Sequence, residues 1–569
     1  MTFSTRSIAW IGLAAVLPIS AQDLPTFAWN ELEPSTISGG LEWTPCYRTD
    51  LFDNSNVDCA RLEVPMDYNA KNASCSTGNK VTLALIRRRA LNMTDYKGPI
   101  LHNPGGPGTV RCFIKSWVTT MTSFLGTLVA SLTRASPLIV GLSIPRQQCW
   151  TSDQRRGVWL SRHQGVPGQY DDHVAFLNNY RRYHLIQSAS CEDLMGANGV
   201  QRYISTYHHA HDMHSIMRAL GQSKVRFHGV SWGTALGIYF ATLFPNNVER
   251  MVLDANIDIN LWPTGDLSSD FSNVDQILQR FFEECADDSN CAVHEPTAEA
   301  VEARYENIMQ LARLNSTHAE ISSNWLIEPP LYSTLIALSH SMGYSAEWGF
   351  PDFAVALAAV ERSAVRMDPT PESLLIGQKW APRPDFDDNS YQDPRNPDHR
   401  YVWPLWGEEY TRCNDLVGGV SSDLDEMLAH YEDASKRHRA PGQELQLHWP
   451  CQGKPAPKNP FAGPFGGNLS HPILYVNSRL DPITPLVHAE RNAKLFPGSG
   501  LVIVEGIGHM RQYFQDGTLP EFGSTCANEL PVFWTGNESL GAVARRDSNS
   551  EALDKARARW QEQRKNFAW

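Results

Sequence analysis

The chain is expected to fold as an α/β protein with a mostly parallel sheet and a large, inserted, mainly helical region. Three observations carry that expectation. Short apolar runs alternate with helix-like stretches from about Val81 to Asp254, as they do where parallel strands are joined by crossover helices. The alternation stops near Pro263, gives way to helical patterns and long loops, and resumes near Asn468. Third, Gly229-Val230-Ser231-Trp232-Gly233 lies between the apolar run Val225–His228 and the helix-like stretch Thr234–Phe240, which reads as strand, sharp turn and helix with a serine at the apex.

In chain order, residues 1–21 combine one basic residue, an apolar run from Ile8 to Ile19 and a small residue at Ala21. They read as a secretory signal peptide, too short to span a bilayer comfortably. Residues 22–262 form the first part of the core. Strands are expected at Val81–Ile86, at Ile100, near Leu138–Gly141, at Val225–His228 and at Arg250–Asp254, with helices at Asp171–Gln187 and Tyr207–Leu220. Residues 263–446 are the cap insertion, with helical stretches at Val274–Phe282 and Ala298–Leu314 and a Pro- and Trp-rich segment from Trp380 to Trp406. Residues 447–540 return to the core with strands at Ile473–Asn477 and Leu501–Glu505, and residues 541–569 form a charged helical tail.

The spacing G-x-S-x-G matters because a serine at such an apex is forced into a strained backbone, and only glycine two residues either side lets strand and helix approach. A nucleophilic Ser231 needs a base, an acid that orients the base, and donors for the oxyanion. Where nucleophile, acid and histidine follow in that order, strands 473–477 and 501–505 supply the remaining two: Asp481 just beyond the first, His509 just beyond the second. Asp254, ending the first strand after the serine, is the rival acid; Asp481 is preferred because Pro482 and Pro485 set its loop. The Gly-rich run His102–Gly108 offers backbone donors, with Gly106 and Trp232 as the expected oxyanion pair. It has neither the G-K-[ST] ending nor the G-x-G-x-x-G opening of a phosphate loop.

A net charge of −13, with no basic cluster interleaved with aromatics, argues against a nucleic-acid partner. Eleven cysteines behind a signal peptide point to disulfides, with Cys46–Cys59 and Cys285–Cys291 as plausible local pairs. Sequons at Asn72, Asn92, Asn315, Asn468 and Asn537 fit a glycosylated, exported chain. His208, His211 and His214 recur at helical spacing and invite a metal, but no H-E-x-x-H pattern accompanies them, so no metal and no organic cofactor is expected. No stretch suggests a membrane span, and the oligomeric state is unknown.

Pro104-Gly105-Gly106-Pro107-Gly108, Gly229–Thr234, Leu480–Pro485 and Gly508-His509 together resemble the tripeptidyl-aminopeptidase branch of the α/β-hydrolase serine peptidases, relatives of the prolyl aminopeptidases. Arg412-Cys413-Asn414-Asp415 and the stretch from Gly517 to Cys526 resemble that branch's C-terminal region, about 410–526. The resemblance implies an α/β-hydrolase fold with a helical cap and a secreted exopeptidase that releases short peptides from free N-termini. Two other readings stay open: an ester hydrolase with the same triad, and an inactive secreted binding protein. The chain departs from the family at two places. The family's Asp-Pro-Arg-Gly turn is absent after Leu138–Gly141, and the segment between His509 and Gly517 is short.

Overall fold

A computed structural model describes residues 32–46, 57–70, 79–90, 96–106, 128–131, 149–151, 155, 173–321, 335–336, 338–339, 342, 346–366, 405–437, 449–504, 519 and 521–526. Among them ten strands make one sheet: β1 (Thr44–Pro45), β2 (Val57–Pro65), β3 (Lys80–Arg88), β4 (Ile100–Asn103), β5 (Leu128–Ser131), β6 (Val225–Val230), β7 (Val248–Asp254), β8 (Ile473–Ser478), β9 (Gly500–Val504) and β10 (Ser524–Cys526). Their spatial order is β1-β2-β3-β5-β4-β6-β7-β8-β9-β10. The first three are antiparallel, β3 meets β5 antiparallel, and every pairing from β5 to β10 is parallel. Parallel strands need crossovers. These are supplied by helices that include α1 (His173–Met195), α2 (Thr206–Ala219), α3 (Trp232–Leu243) and, after β8, the helix Leu486–Ala493.

The expected strands at 81–86, 100, 225–228, 250–254, 473–477 and 501–505 are all present. The strand expected near Leu138 lies outside the described residues, as do the signal peptide, the Pro- and Trp-rich segment up to 404 and the C-terminal tail; β5, ten residues earlier, fills the place between β3 and β4. β2 was not foreseen. Its apolar pattern is broken by Asp58, Arg61 and Glu63, yet eight of its nine residues are buried. Cross-strand charge makes this possible. Asp58 stands opposite Arg87 in the register and accepts from its guanidinium at 2.8 Å, and Glu63 pairs with Lys80 at 2.7 Å. Cys46–Cys59, one of the two expected pairs, staples β2 to the segment after β1.

The inserted region has its own apolar core. Helices α4 (Val274–Asp287), α5 (Ala298–Ile321) and α6 (Ala346–Arg366) pack Phe281, Phe282, Tyr305, Phe350 and Phe353 against one another. α4 places Ile277, Leu278, Phe281, Phe282 and Cys285 on one stripe, the spacing of a helix with a single buried face. The second expected disulfide, Cys285–Cys291, ties its C-terminal end. By contrast, α7 (Leu405–Asp415) and α8 (Leu424–Arg437) pack on α1 and α2 of the sheet's flank. Cys413–Cys451 and Cys149–Cys191 complete the disulfides among the described residues. No helix of the described residues is long and apolar enough to cross a membrane. Of the sequons, Asn468 is exposed in the loop before β8 and Asn315 falls within α5; Asn72, Asn92 and Asn537 lie outside the described residues.

Because Asp58 is nearly buried and serves Arg87 and Arg89 together, Asp58→Ala leaves guanidinium charge under-compensated. It is expected to lower unfolding free energy by about 2 kcal/mol, less than for a fully buried pair because both arginines reach solvent. Urea denaturation followed by tryptophan fluorescence measures this.

Candidate active site

Ser231 stands between β6 and α3 with φ 55° and ψ −123°, a left-handed conformation that L-residues rarely adopt. The sequence dictates it. A side chain on Gly229 would collide with the carbonyl of Gly233, and one on Gly233 would reach within 2.6 Å of the Asn103 carbonyl. Only glycine at both places lets β4, β6 and α3 meet. The strained turn is held by the Ser231 amide donating to the Asp254 carbonyl at 2.9 Å and by the Thr234 hydroxyl donating back to the Ser231 carbonyl at 2.6 Å.

The Gly-rich loop after β4 lies directly against the serine. A Cβ on Gly105, whose φ is 102°, would stand 2.8 Å from the Ser231 Cβ and 3.4 Å from its Oγ. The Gly105 amide is already spent on the Asn103 side chain at 3.0 Å. The next amide, that of Gly106 at φ 106°, and the Trp232 amide at the first position of α3 are the neighbouring donors. A first-turn amide has no acceptor within its own helix, and the helix dipole adds positive potential there.

Asp481 follows β8 in a tight loop. Its carboxylate accepts from the amides of Ile483 and Thr484 at 2.9 and 2.8 Å and from the Thr484 hydroxyl at 2.8 Å. Burial raises its pKa, and these donors pull it back down. Three of about four lone-pair sites are thereby used, leaving room for one further donor. Asp254, the rival, is raised to about 7, first by burial and then by the charge of Asp481. The two carboxyl groups therefore share one electrostatic neighbourhood at the ends of β7 and β8. β9 ends at Val504 opposite Ser478, so its C-terminal end lies at the same sheet edge. His509 lies outside the described residues, as do the positions of both family departures.

Several residues of this neighbourhood carry no motif. Asn477, fully buried at the end of β8, accepts from the Asn256 amide at 2.8 Å and donates to the Thr484 carbonyl at 2.8 Å, tying the loop after β7 to the loop carrying Asp481. The inserted region joins in, since Asn273 at the start of α4 donates to the Asp481 carbonyl at 2.9 Å and Leu480 packs on the insertion's core. Below the elbow, His102 and His228 face each other with Nδ1 atoms 3.1 Å apart. One donates and the other, necessarily neutral, accepts; burial lowers His102 to about 4 and His228 well below the ordinary histidine value. The pairs Asn256–Asn477, Asn273–Asp481 and His102–His228 join residues at least 126 apart, and a linear motif could not have flagged them.

The histidine-rich helix resolves differently from a metal site. His208 bonds Ser205 at 2.7 Å, His211 stacks on Tyr68 and His214 stacks on Phe244. Among the described residues no group of three or more His, Cys, Asp or Glu is arranged to hold a metal.

A carboxyl whose folded pKa is raised contributes stability below its unfolded pKa and loses it as pH rises through the folded value. For Asp254 that window runs from about 4 to about 7. Asp254→Asn removes the loss. It is expected to stabilise the protein at pH 8 by about 2 kcal/mol, screening by solvent holding the effect to that size, and to change little at pH 4. Chemical denaturation at the two pH values measures the difference.

A family model described as alpha/beta hydrolase fold matches residues 98–307, and one described as TAP-like protein matches residues 442–526. The serine protease Hip1 of Mycobacterium tuberculosis is 27% identical over 302 residues, which are 52% of this chain and 55% of that protein. The tripeptidyl aminopeptidase of Streptomyces coelicolor is 29% identical over 237 residues, 41% of each chain. The putative hydrolase YuaR of Escherichia coli is 24% identical over 307 residues, 50% of this chain and 56% of that protein. The chain spans about half the length of the curated relatives it matches. With the strained serine elbow on a parallel sheet and these two matches, the chain has the α/β-hydrolase fold and is similar to the TAP-like, tripeptidyl-aminopeptidase branch of its serine peptidases.

Proposed function

We propose that the protein is a secreted serine aminopeptidase that releases short peptides, of the tripeptidyl type, from free N-termini. The observation that carries the reading is Ser231 itself: a serine in a left-handed turn at the start of a helix, pressed against a glycine loop. That costly conformation exposes its oxygen where donors converge. The tripeptidyl aminopeptidase relative supports the substrate class, and four disulfides among the described residues fit an oxidising, extracellular setting. The sequons at Asn72, Asn92, Asn315, Asn468 and Asn537 belong to the same reading.

In the reaction, Ser231 Oγ bonds to the scissile carbonyl carbon while its proton passes to His509. The carbonyl π electrons move to oxygen, which the Gly106 and Trp232 amides stabilise by on the order of 3 kcal/mol per donor. Collapse of this adduct breaks the C–N bond, and His509 gives its proton to the departing amine. Water, deprotonated by His509, then cleaves the acyl-enzyme ester and restores Ser231. Asp481 holds the imidazole tautomer throughout. Its loop, rigid with three donors, suits that role better than Asp254, which burial and the neighbouring charge drive toward the neutral form.

The test is release of chromophore from a free-amino tripeptide anilide, compared with its N-acetylated twin. Cleavage of the free form alone, abolished in Ser231→Ala, is the expected outcome; equal cleavage of both twins would place the activity with general ester or endopeptidase chemistry. Asp481→Asn is expected to reduce kcat about 10⁴-fold through the wrong tautomer, whereas Asp254→Asn is expected to stay within about tenfold of the parent. The reverse order of losses would transfer the acid's role to Asp254.

A further inference from the structure

Trp232 carries two functions on one residue. Its backbone amide is the proposed oxyanion donor, and its indole is fully buried, with the Nε1 hydrogen donated to Thr206 Oγ1 at 3.0 Å. Thr206 in turn donates its hydroxyl to Asp415 Oδ2 at 2.5 Å and its amide to Asp415 Oδ1 at 2.8 Å. The direction of the relay is therefore fixed: because the Thr206 proton points at the carboxylate, only its lone pairs face the indole. Asp415 accepts a further bond from Trp262 Nε1 at 2.8 Å, and the Arg412 guanidinium lies 4.0 Å over the Trp262 ring. Thr206, Arg412 and Asp415 are all buried. We infer that Thr206 and Asp415 are positioning residues of the oxyanion hole, holding Trp232 by its indole so that its backbone amide stays aimed at the reacting carbonyl.

A purely structural role explains this arrangement poorly. Burying a carboxylate is costly, and an apolar side chain of similar volume in its place is often neutral or stabilising. What the carboxylate adds is stiffness, since bonds to an ionised acceptor are shorter and stronger than neutral ones. Stiffness is needed at this point of the chain. The strained Ser231 persists only if its surroundings over-determine it, and the bonds to Asp254 and from Thr234 act on the serine's own amide and carbonyl. The relay acts on the residue that supplies the donor. A misplacement on the order of 1 Å at a reacting centre can cost about a hundredfold in rate.

The inference rests on the reading of Ser231 as nucleophile and Trp232 as oxyanion donor. It is tested with Thr206→Val, Thr206→Ser, Trp232→Phe and the double variant Thr206→Val/Trp232→Phe. Active sites are counted with a fluorophosphonate, and turnover of the tripeptide anilide is expressed per active site. Thr206→Val and Trp232→Phe are each expected to lower kcat about 10- to 100-fold with KM changed less than about threefold. A peptide aldehyde, whose adduct places an oxyanion in the hole, should lose affinity by the same factor. Thr206→Ser, which keeps the hydroxyl, should recover most of the loss. The double variant should be no worse than either single one, because both remove one bond. If Thr206→Val does not fold, Trp232→Phe reports on the same contact. Variants with lowered melting temperature but parental kcat per site, or single losses that multiply in the double variant, overturn the inference alone. A folded parent that neither turns over nor labels overturns it together with the proposed function.

Discussion

The strained backbone of Ser231 is the constraint on which the rest of the site depends. A residue held at φ 55° costs on the order of 1–3 kcal/mol, and an isolated strand–helix turn would relax away from it. Around this residue the fold removes each route of relaxation. Glycines at 229 and 233 let β4, β6 and α3 close to distances no side chain allows, the Asp254 carbonyl fixes the serine amide, and Thr234 fixes its carbonyl. Gly105 then occupies the space beside Ser231 Cβ, so the loop that would hold an oxyanion is in van der Waals contact with the group that would create one.

The parallel register explains why the remaining parts converge. β6, β7, β8 and β9 run the same way and are paired in sequence, so their C-terminal ends lie along one edge of the sheet and the loops after β6, β7 and β8 leave it side by side. Loops are free to wander, and here the wandering is stopped by buried amide side chains. Asn256 donates to Asn477 Oδ1 and to the carbonyls of Leu253 and Val476, and Asn477 donates to the Thr484 carbonyl. Neutral amides suit this place because they donate and accept without adding charge next to two carboxyl groups whose pKa values burial already raises.

How much of this was legible in the sequence follows from the range of each interaction. The elbow, the glycine loop and the loop of Asp481 are local, each within a few residues, and glycine, proline and serine at fixed spacing announce them. The strands of the parallel sheet were legible because both faces are covered and their runs are apolar. β2 was not, because Asp58 and Glu63 look like surface residues until Arg87 is placed opposite the first and Lys80 on the neighbouring strand is paired with the second. Cys149–Cys191 and Cys413–Cys451 were equally hidden, since spacing alone does not set connectivity. Least legible were contacts such as Thr206 with Asp415, whose partners are 209 residues apart and whose meaning appears only when the indole of Trp232 is found between the elbow and that pair.

Those long-range contacts also change how the insertion should be understood. A lid attached by two hinges would leave the catalytic edge intact when it moved. Here, however, the inserted segment touches the site's own parts: Asn273 bonds the Asp481 carbonyl, Leu480 packs into the insertion's core, and Asp415 holds Thr206 behind Trp232. Displacing α4 would tug on the acid's loop, and displacing α7 would release the tryptophan. The insertion is thus a structural wall of the site as well as a cover. On the proposed reading, its helices would restrict access and exclude water, and the same helices would keep Asp481 and Trp232 in register with Ser231. On the proposed function, access for a peptide would come from segments other than the start of α4 and the end of α7, because Asn273 and Asp415 tie those two ends to the Asp481 loop and to Thr206.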